Sequence, residues 1–281
     1  MTLIAHVSDL HLGPVPFPAS RPLGLKPALG WINWARQPGQ HDNALWREVA
    51  ERITAAKPDF TMVTGDLIEL GLASEWQAAA AALQRLGPPA TISWAPGNHD
   101  FYTGAAVARA RDLMAPYLPA GGNGDIRDRF PRLDLVGRAA IVTLCSGTPT
   151  WLFSAEGELG AGQLARLDAM LARLDRREHC PVIAVHHPAV APSLSRLKRL
   201  RDGEALADLL IRRECSLLFH GHLHQAVAGE VTRGGRTLTQ IGAPSASATG
   251  RGGDSPAGFN LVRISEQETG LRWSLERVTL R

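Results

Sequence analysis

Cysteine is scarce in this chain, and its few copies are far apart: 281 residues hold only Cys145, Cys180 and Cys215. An odd count without close spacing excludes a disulfide framework and a CxxC metal site. Each lies in or beside an apolar run, the setting of a buried reduced thiol, which fits a cytoplasmic protein. Long hydrophobic runs are missing too, and no stretch approaches the length of a membrane span. Met1–Leu12 has no basic lead and only a short apolar stretch, so no signal peptide is expected. Charge of one sign is also in short supply: Lys plus Arg number 30 and Asp plus Glu 27, a net +3. So mild a balance argues against a nucleic-acid polymer as partner but suits a small anionic substrate. Linkers, internal repeats and low-complexity tracts are absent, and residues 1–281 read as one domain.

What is present alternates. Apolar runs at Leu3–Ser8, Asp59–Thr64, Ala90–Ala95, Ala139–Leu144, Val182–Val185 and Ser216–Phe219 predict strands. Between them, helical periodicity covers Ala44–Lys57, Ser74–Leu86, Ala105–Tyr117, Gln163–Arg177 and a stretch near Glu204–Arg213. The tail changes character: Gln225–Ile241 turns at Arg233-Gly-Gly-Arg236, and Asn260–Leu280 turns around Glu268-Thr-Gly270. The expectation is an α/β body closed by an antiparallel β section. One segment, about 13–42, breaks the rhythm with six prolines plus Trp31 and Trp34. So long a Pro-rich connection is either functional or packed as a lid.

Short polar motifs follow the predicted strands: Asp9-Leu-His11, Gly65-Asp66, Gly97-Asn-His-Asp100, His186-His187-Pro188 and Gly221-His-Leu-His224. Residues two apart on a strand share a side, so Asp9 and His11 can aim at one ion, and the His222 and His224 imidazoles lie on one side. A carboxylate at Asp66 can bridge two cations, one per oxygen, and Asn98 offers a neutral oxygen. His99 can donate a proton, with Asp100 orienting its ring. All five motifs fall at the carboxyl ends of strands, the edge where α/β sheets bind ligands. The seven candidate metal ligands are Asp9, His11, Asp66, Asn98, His186, His222 and His224. Their mixture of imidazole and oxygen donors suits Mn, Fe, Zn or Co better than Ca.

This ordered set, spanning positions 9 to 224, resembles the calcineurin-like metallophosphoesterase superfamily. In length and spacing it is similar to the bacterial cyclic-nucleotide phosphodiesterase branch. The resemblance implies a four-layered α/β/β/α sandwich of two mixed sheets with a dimetal site at its edge. It also implies that Asp9, His11, Asp66 and His224 hold one ion, and that Asp66, Asn98, His186 and His222 hold the other. The reaction it implies is hydrolysis of a phosphodiester by a water that two cations about 3.5–4 Å apart activate, with His99 assisting. Protein serine/threonine phosphatases carry Arg shortly after Gly-Asp and Glu after Asn-His; this chain has Gly65-Asp-Leu-Ile-Glu-Leu70, and Asp100 after His99. The similar UDP-diacylglucosamine hydrolases usually place Arg where His99 stands, and the non-catalytic retromer relatives lack that His.

Substrate signals are thinner. Trp31 and Trp34 suit core or dimer packing, or stacking on a base or lipid tail. Arg196 and Arg199, in the basic run Leu194–Asp202, suit a solvated face or an anion-attracting rim, and His187 sits beside a candidate ligand. Three readings follow: a phosphodiesterase of cyclic nucleotides or similar small diesters, a hydrolase of a nucleotide-linked pyrophosphate or lipid headgroup, and a metal-stabilised interaction scaffold. Gly250–Ser255 reads as a flexible loop.

Overall fold

The computed structural model describes residues 1–15, 24–121, 124–267 and 270–280. Pro16, Pro18 and Pro22, and Glu268 and Thr269 of the second tail turn, lie outside the described residues.

Strand β1 (Thr2–Val7) leads through helices α1 (Leu25–Ala35) and α2 (Asn43–Ala56) to β2 (Phe60–Val63). Helix α3 (Ala73–Leu86), β3 (Ile92–Trp94) and α4 (Gly104–Leu113) follow. The second half runs β4 (Arg132–Val136), β5 (Ala139–Thr143), α5 (Ala161–Arg173), β6 (Cys180–Ala184), α6 (Gly203–Arg212) and β7 (Leu217–His220). It ends in two hairpins, β8 (Ala228–Arg233) with β9 (Arg236–Gly242) and β10 (Gly258–Gln267) with β11 (Gly270–Thr279). Two mixed sheets result, ordered β11-β10-β1-β2-β3 and β4-β5-β6-β7-β9-β8.

Period-two alternation decides which side of each strand meets which layer. Ile4 of β1, Phe60 and Met62 of β2, Val182 and Ala184 of β6, and Leu217 and Phe219 of β7 point between the sheets and form the central core. Their neighbours point outward: Ala5, Val7 and Val63 pack under α2 and α3, while Ile183 and Leu218 pack under α5 and α6. Three apolar layers therefore separate four layers of structure, α/β/β/α. The outer helices bury one stripe each, as with Trp46, Val49, Ala50 and Ile53 of α2. Helix α2 starts where Asp42 Oδ1 accepts the Ala44 N–H at 2.8 Å.

Four expectations need correction. The Pro/Trp-rich segment is not only a connection: it folds in part as α1, with Pro27 in the first turn, where a missing N–H costs nothing. Helix α4 stops at Leu113 and continues as a separate 3₁₀ turn, Ala115–Tyr117, and α5 stops at Arg173. Strand β4 escaped notice because it lies at a sheet edge, with Leu133 and Leu135 exposed. The tail is not one antiparallel section. Its hairpins part: β9 joins β7 in parallel register in one sheet, and β10 lies antiparallel to β1 in the other.

Candidate metal centre

The motifs after β1, β2, β3, β6 and β7 meet along one edge of the sandwich. They do not get there as extended strand. Asp9, His11, Asp66, His222 and His224 all have left-handed backbones, with φ of 52°, 41°, 49°, 66° and 52°. Such conformations cost energy in residues with a Cβ and persist where surrounding bonds over-determine them. The bonds are present: Asp9 N donates to Gly65 O at 2.9 Å, His11 N to Asp66 O at 3.1 Å, and Ser245 Oγ to Asp9 O at 2.6 Å. Spacing of two thus brings Asp9 and His11 together through a turn rather than through pleat alternation, but parts the other pair, His222 toward His186 and His224 toward His11. Two glycines make room. A Cβ on Gly97 would collide with the Asp66 carboxylate, and one on Gly221 with Ser8 and the Asp9 carboxylate.

Two donor sets form. In one, His11 Nε2 lies 3.1 Å from His224 Nε2, while Asp9 Oδ1 lies 3.4 Å from His224 Nε2 and 3.9 Å from His11 Nε2. In the other, His186 Nε2 lies 3.1 Å from Asp66 Oδ2 and 3.2 Å from Asn98 Oδ1. The opposite ring nitrogens are occupied. His11 Nδ1 faces Glu69 Oε1 at 3.0 Å, His224 Nδ1 faces Asp254 Oδ2 at 3.1 Å, and His186 Nδ1 donates to Thr64 O at 2.7 Å. His222 is reversed: its Nε2 donates to Lys198 O at 2.9 Å, which leaves Nδ1 as the free nitrogen. The carboxylates are likewise half-used. Asp9 Oδ2 accepts the His222 N–H at 3.0 Å, and Asp66 Oδ1 accepts the His99 N–H at 2.8 Å.

This donor chemistry fits cations. With each Nδ1 proton turned toward a carboxylate, the His11 and His224 Nε2 lone pairs face one another at 3.1 Å, an arrangement that a shared positive charge stabilises. Ligand atoms about 2.0–2.1 Å from one ion stand roughly 3.0–3.4 Å apart, close to the spacings observed. Protonation tells the same story. Burial would lower His224, yet Asp9 and Asp254 push it up to about 10. Burial likewise opposes the His186 imidazolium, but Asp66 pushes it up to about 9. Against burial, the surrounding imidazoles hold Asp9 and Asp66 well below the usual carboxylate range. The field calls for positive charge at these positions, and metal ions displace protons from such sites.

Several residues do other work than the sequence suggested. Asp100 does not orient His99. It is fully buried and accepts the N–H groups of Asp66, Leu67 and Gly97 at 2.9 Å and the Trp94 indole at 3.1 Å, clamping two turns together. His99 Nδ1 instead meets Glu69, at 2.9 Å from its carbonyl and 3.3 Å from Oε2, with the ring stacked on Tyr102. His187 is buried, with Nδ1 at 2.8 Å from Ser146 Oγ and Nε2 at 3.0 Å from Ala155 O, so neither nitrogen is left for substrate. Arg199 spends its guanidinium on Leu194 O and Pro192 O, and Arg196 is exposed and away from the cleft lining. Trp34 lines the cleft; Trp31 packs beside it, ring centroids 6.5 Å apart, but does not line it.

The sequence reading missed three polar residues at the centre. Glu69 packs against His11 and His99. Burial opposes its ionisation, yet those imidazoles hold its carboxyl at about 2. Asp254, in the supposedly flexible glycine loop, holds His224. His41 comes from the Pro/Trp-rich segment, its ring centroid 4.5 Å from that of His11 and its Nδ1 at 2.9 Å from Ser247 Oγ. None belongs to a spaced pair; only Glu69, three residues after Asp66, had a positional cue. Above the donors lies a cleft of about 980 Å³, lined by His11, Asp66, Asn98, His99, His222 and His224 below and by α1 above.

Fold and donor set together define a metal-dependent hydrolase of phosphoric esters. The chain belongs to the calcineurin-like phosphoesterase family, whose model matches residues 2–226. A Rhodococcus erythropolis protein described as a probable cyclic nucleotide phosphodiesterase is 28% identical over 241 residues, covering 79% of this chain and 72% of that one. Among solved structures, a dimetal phosphatase from Danio rerio is similar in fold: TM-score 0.59, 14% identity, 98% of this chain and 95% of that chain covered. A 5'-nucleotidase precursor from Thermus thermophilus has TM-score 0.57 and 14% identity, with 99% of this chain against 54% of that chain. Among the described residues, no helix is long and apolar enough to cross a membrane.

Proposed function

We propose that the chain is a dimetal phosphodiesterase whose ions share Asp66. The observation that carries this is the pair of donor sets with every outward ring nitrogen already committed. Asp9 Oδ1, His11 Nε2, Asp66 and His224 Nε2 would hold one ion; Asp66, Asn98 Oδ1, His186 Nε2 and His222 Nδ1 would hold the other. The Asp66 carboxylate would serve both ions, with Oδ1 also accepting the His99 N–H. Imidazole, carboxylate and amide oxygen together suit Mn, Fe, Zn or Co.

Two such ions, when bound, neutralise the phosphate and supply a nucleophile from water near neutral pH. The protein supplies the rest. Glu69 fixes His99 through Nδ1, and the ring lines the cleft, where it would donate a proton to the leaving oxygen; general-acid help of this kind is worth about 10²–10⁴-fold. Glu69 also orients His11, and so ties the proton donor to the ion site through one carboxylate. Asp100 keeps the Asp66 and Asn98 turns in register.

The substrate reading is a cyclic nucleotide or similar small diester, supported by the 28% identical relative. A lipid-linked or nucleotide-linked headgroup is the second reading, favoured by the apolar α1 over the cleft. The test is a Mn²⁺-supplemented assay across bis(p-nitrophenyl) phosphate, cyclic AMP, 2′,3′-cyclic nucleotides and a UDP-linked lipid. Hydrolysis of the generic diester with preference for the cyclic nucleotides supports the first reading, and preference for the lipid supports the second. No turnover of any diester overturns both.

A further inference from the structure

Helix α1 is apolar but buries none of its residues completely. One stripe, Lys26, Leu29, Gly30, Asn33, Trp34 and Gln37, lines the cleft at helical spacing. Leu25 and Ile32 lie off that stripe, 68% and 40% exposed. Two neighbouring segments carry similar tips: Trp151 and Phe153 are 88% and 82% exposed, and Leu197 is 52% exposed. These segments are tied together. Lys26 Nζ donates to Thr150 O at 2.9 Å, and Ala155 N donates to Leu197 O at 2.8 Å. All three border the same cleft, through α1, Phe153 and Lys198. Five of the protein's large exposed apolar side chains therefore stand around one rim, where scattered single ones would be ordinary.

Cations outnumber acids around this rim, although Asp42 borders the cleft and Arg201 pairs with Glu156 and Glu158. Positions 24–41, 147–155 and 188–201 contain no Asp or Glu, yet they contain Lys26, Arg36, Arg196, Lys198, Arg199 and Arg201. Some of these cations are spent internally, as Lys26 and Arg199 are, but Arg36, Arg196 and Lys198 are exposed. Aromatic and aliphatic tips among cations match the interface of an anionic bilayer, where Trp sits at headgroup level and Lys and Arg meet lipid phosphates. A second protein chain seated on the same rim would close the route to the site, whereas a lipid surface can deliver a phosphodiester through it.

We infer that this rim docks the enzyme on an anionic membrane surface, with the cleft facing the headgroups. The inference rests on the phosphodiesterase reading for its purpose, but its test does not depend on turnover. The probe is sedimentation with vesicles of phosphatidylglycerol and phosphatidylcholine at equal parts, against pure phosphatidylcholine. The variant combines Leu25→Asp, Trp151→Asp and Leu197→Asp, none of which lines the cleft. The protein is expected to bind the anionic vesicles, more weakly at high salt and on neutral vesicles. The triple variant is expected to bind at least about tenfold more weakly. It should hydrolyse soluble bis(p-nitrophenyl) phosphate as the parent does, which also shows that it is folded. Equal vesicle binding by parent and variant, or none by the parent, overturns the inference. So does a dimer in sedimentation velocity that the triple variant dissolves, since the rim would then join two copies. Loss of diester turnover in the parent would instead strike the phosphodiesterase reading, whatever the vesicles show.

Discussion

The floor and the rim of the cleft are built on opposite terms. On the floor, polar side chains are mostly buried and several have a second partner: His186 and Asp9 have no exposure, His186 is held by Thr64 O and Asp9 by the His222 N–H. On the rim, apolar side chains are exposed and their segments are joined by a few bonds, such as those from Lys26 Nζ to Tyr102 O and Thr150 O. Burying polar groups is costly unless every one is satisfied, so the floor tolerates few substitutions. The rim is free to change what it meets. The proposed chemistry thus rests on the over-determined region, and the proposed membrane contact on the under-determined one.

The sharpest way to break this contrast is at the bridge. Asp66→Ala should lower kcat by at least about 10³-fold, because it removes a donor from both ion sites together; a steady-state diester assay checks it. Next comes His99→Ala, expected to cut kcat by about 10²–10⁴-fold while leaving metal content unchanged. Metal loss in that variant, with activity restored by excess Mn²⁺, would move His99 from proton donor to ligand support. A smaller effect is expected from Asp254→Ala, which frees His224 Nδ1 and should weaken the adjoining ion about 10–100-fold. Titrating activity against Mn²⁺ reads this as a shifted metal requirement with kcat recovered at saturation. The smallest effect concerns a group outside the site. Burial pushes the Cys145 thiol up to about 12, so the thiolate is absent at pH 8 and iodoacetamide should label it only on unfolding. Mass spectrometry of native and denatured samples checks that.

The same contrast explains what could be read in advance. The floor was legible because its residues stand in short motifs directly after apolar runs, and those runs proved to be β1, β2, β3, β6 and β7. The reason for the spacing was not legible: Asp9 and His11 converge through left-handed turns, which no periodicity encodes. Partners supplied by single residues were hidden as well. Asp254 lay in a glycine-rich stretch that looked only flexible, and His41 lay among prolines. Asp100 illustrates the opposite error: its place beside His99 suggested an orienting carboxylate, but adjacency in sequence turned its side chain onto backbone N–H groups. On the rim, composition indicated tryptophan and arginine, but only the fold separated Trp34 in the cleft from Trp31 beside it. It likewise withdrew Arg199 from any anion by giving it two carbonyls of its own loop.

The central claim is that Asp66 is the residue on which both proposed ion sites depend. Elemental analysis of the protein and of Asp66→Ala, each loaded with Mn²⁺ and then dialysed, tests it most directly. The account predicts two ions per chain in the parent and neither retained in the variant. A variant that keeps both, or a parent that binds only one at saturation, would contradict it.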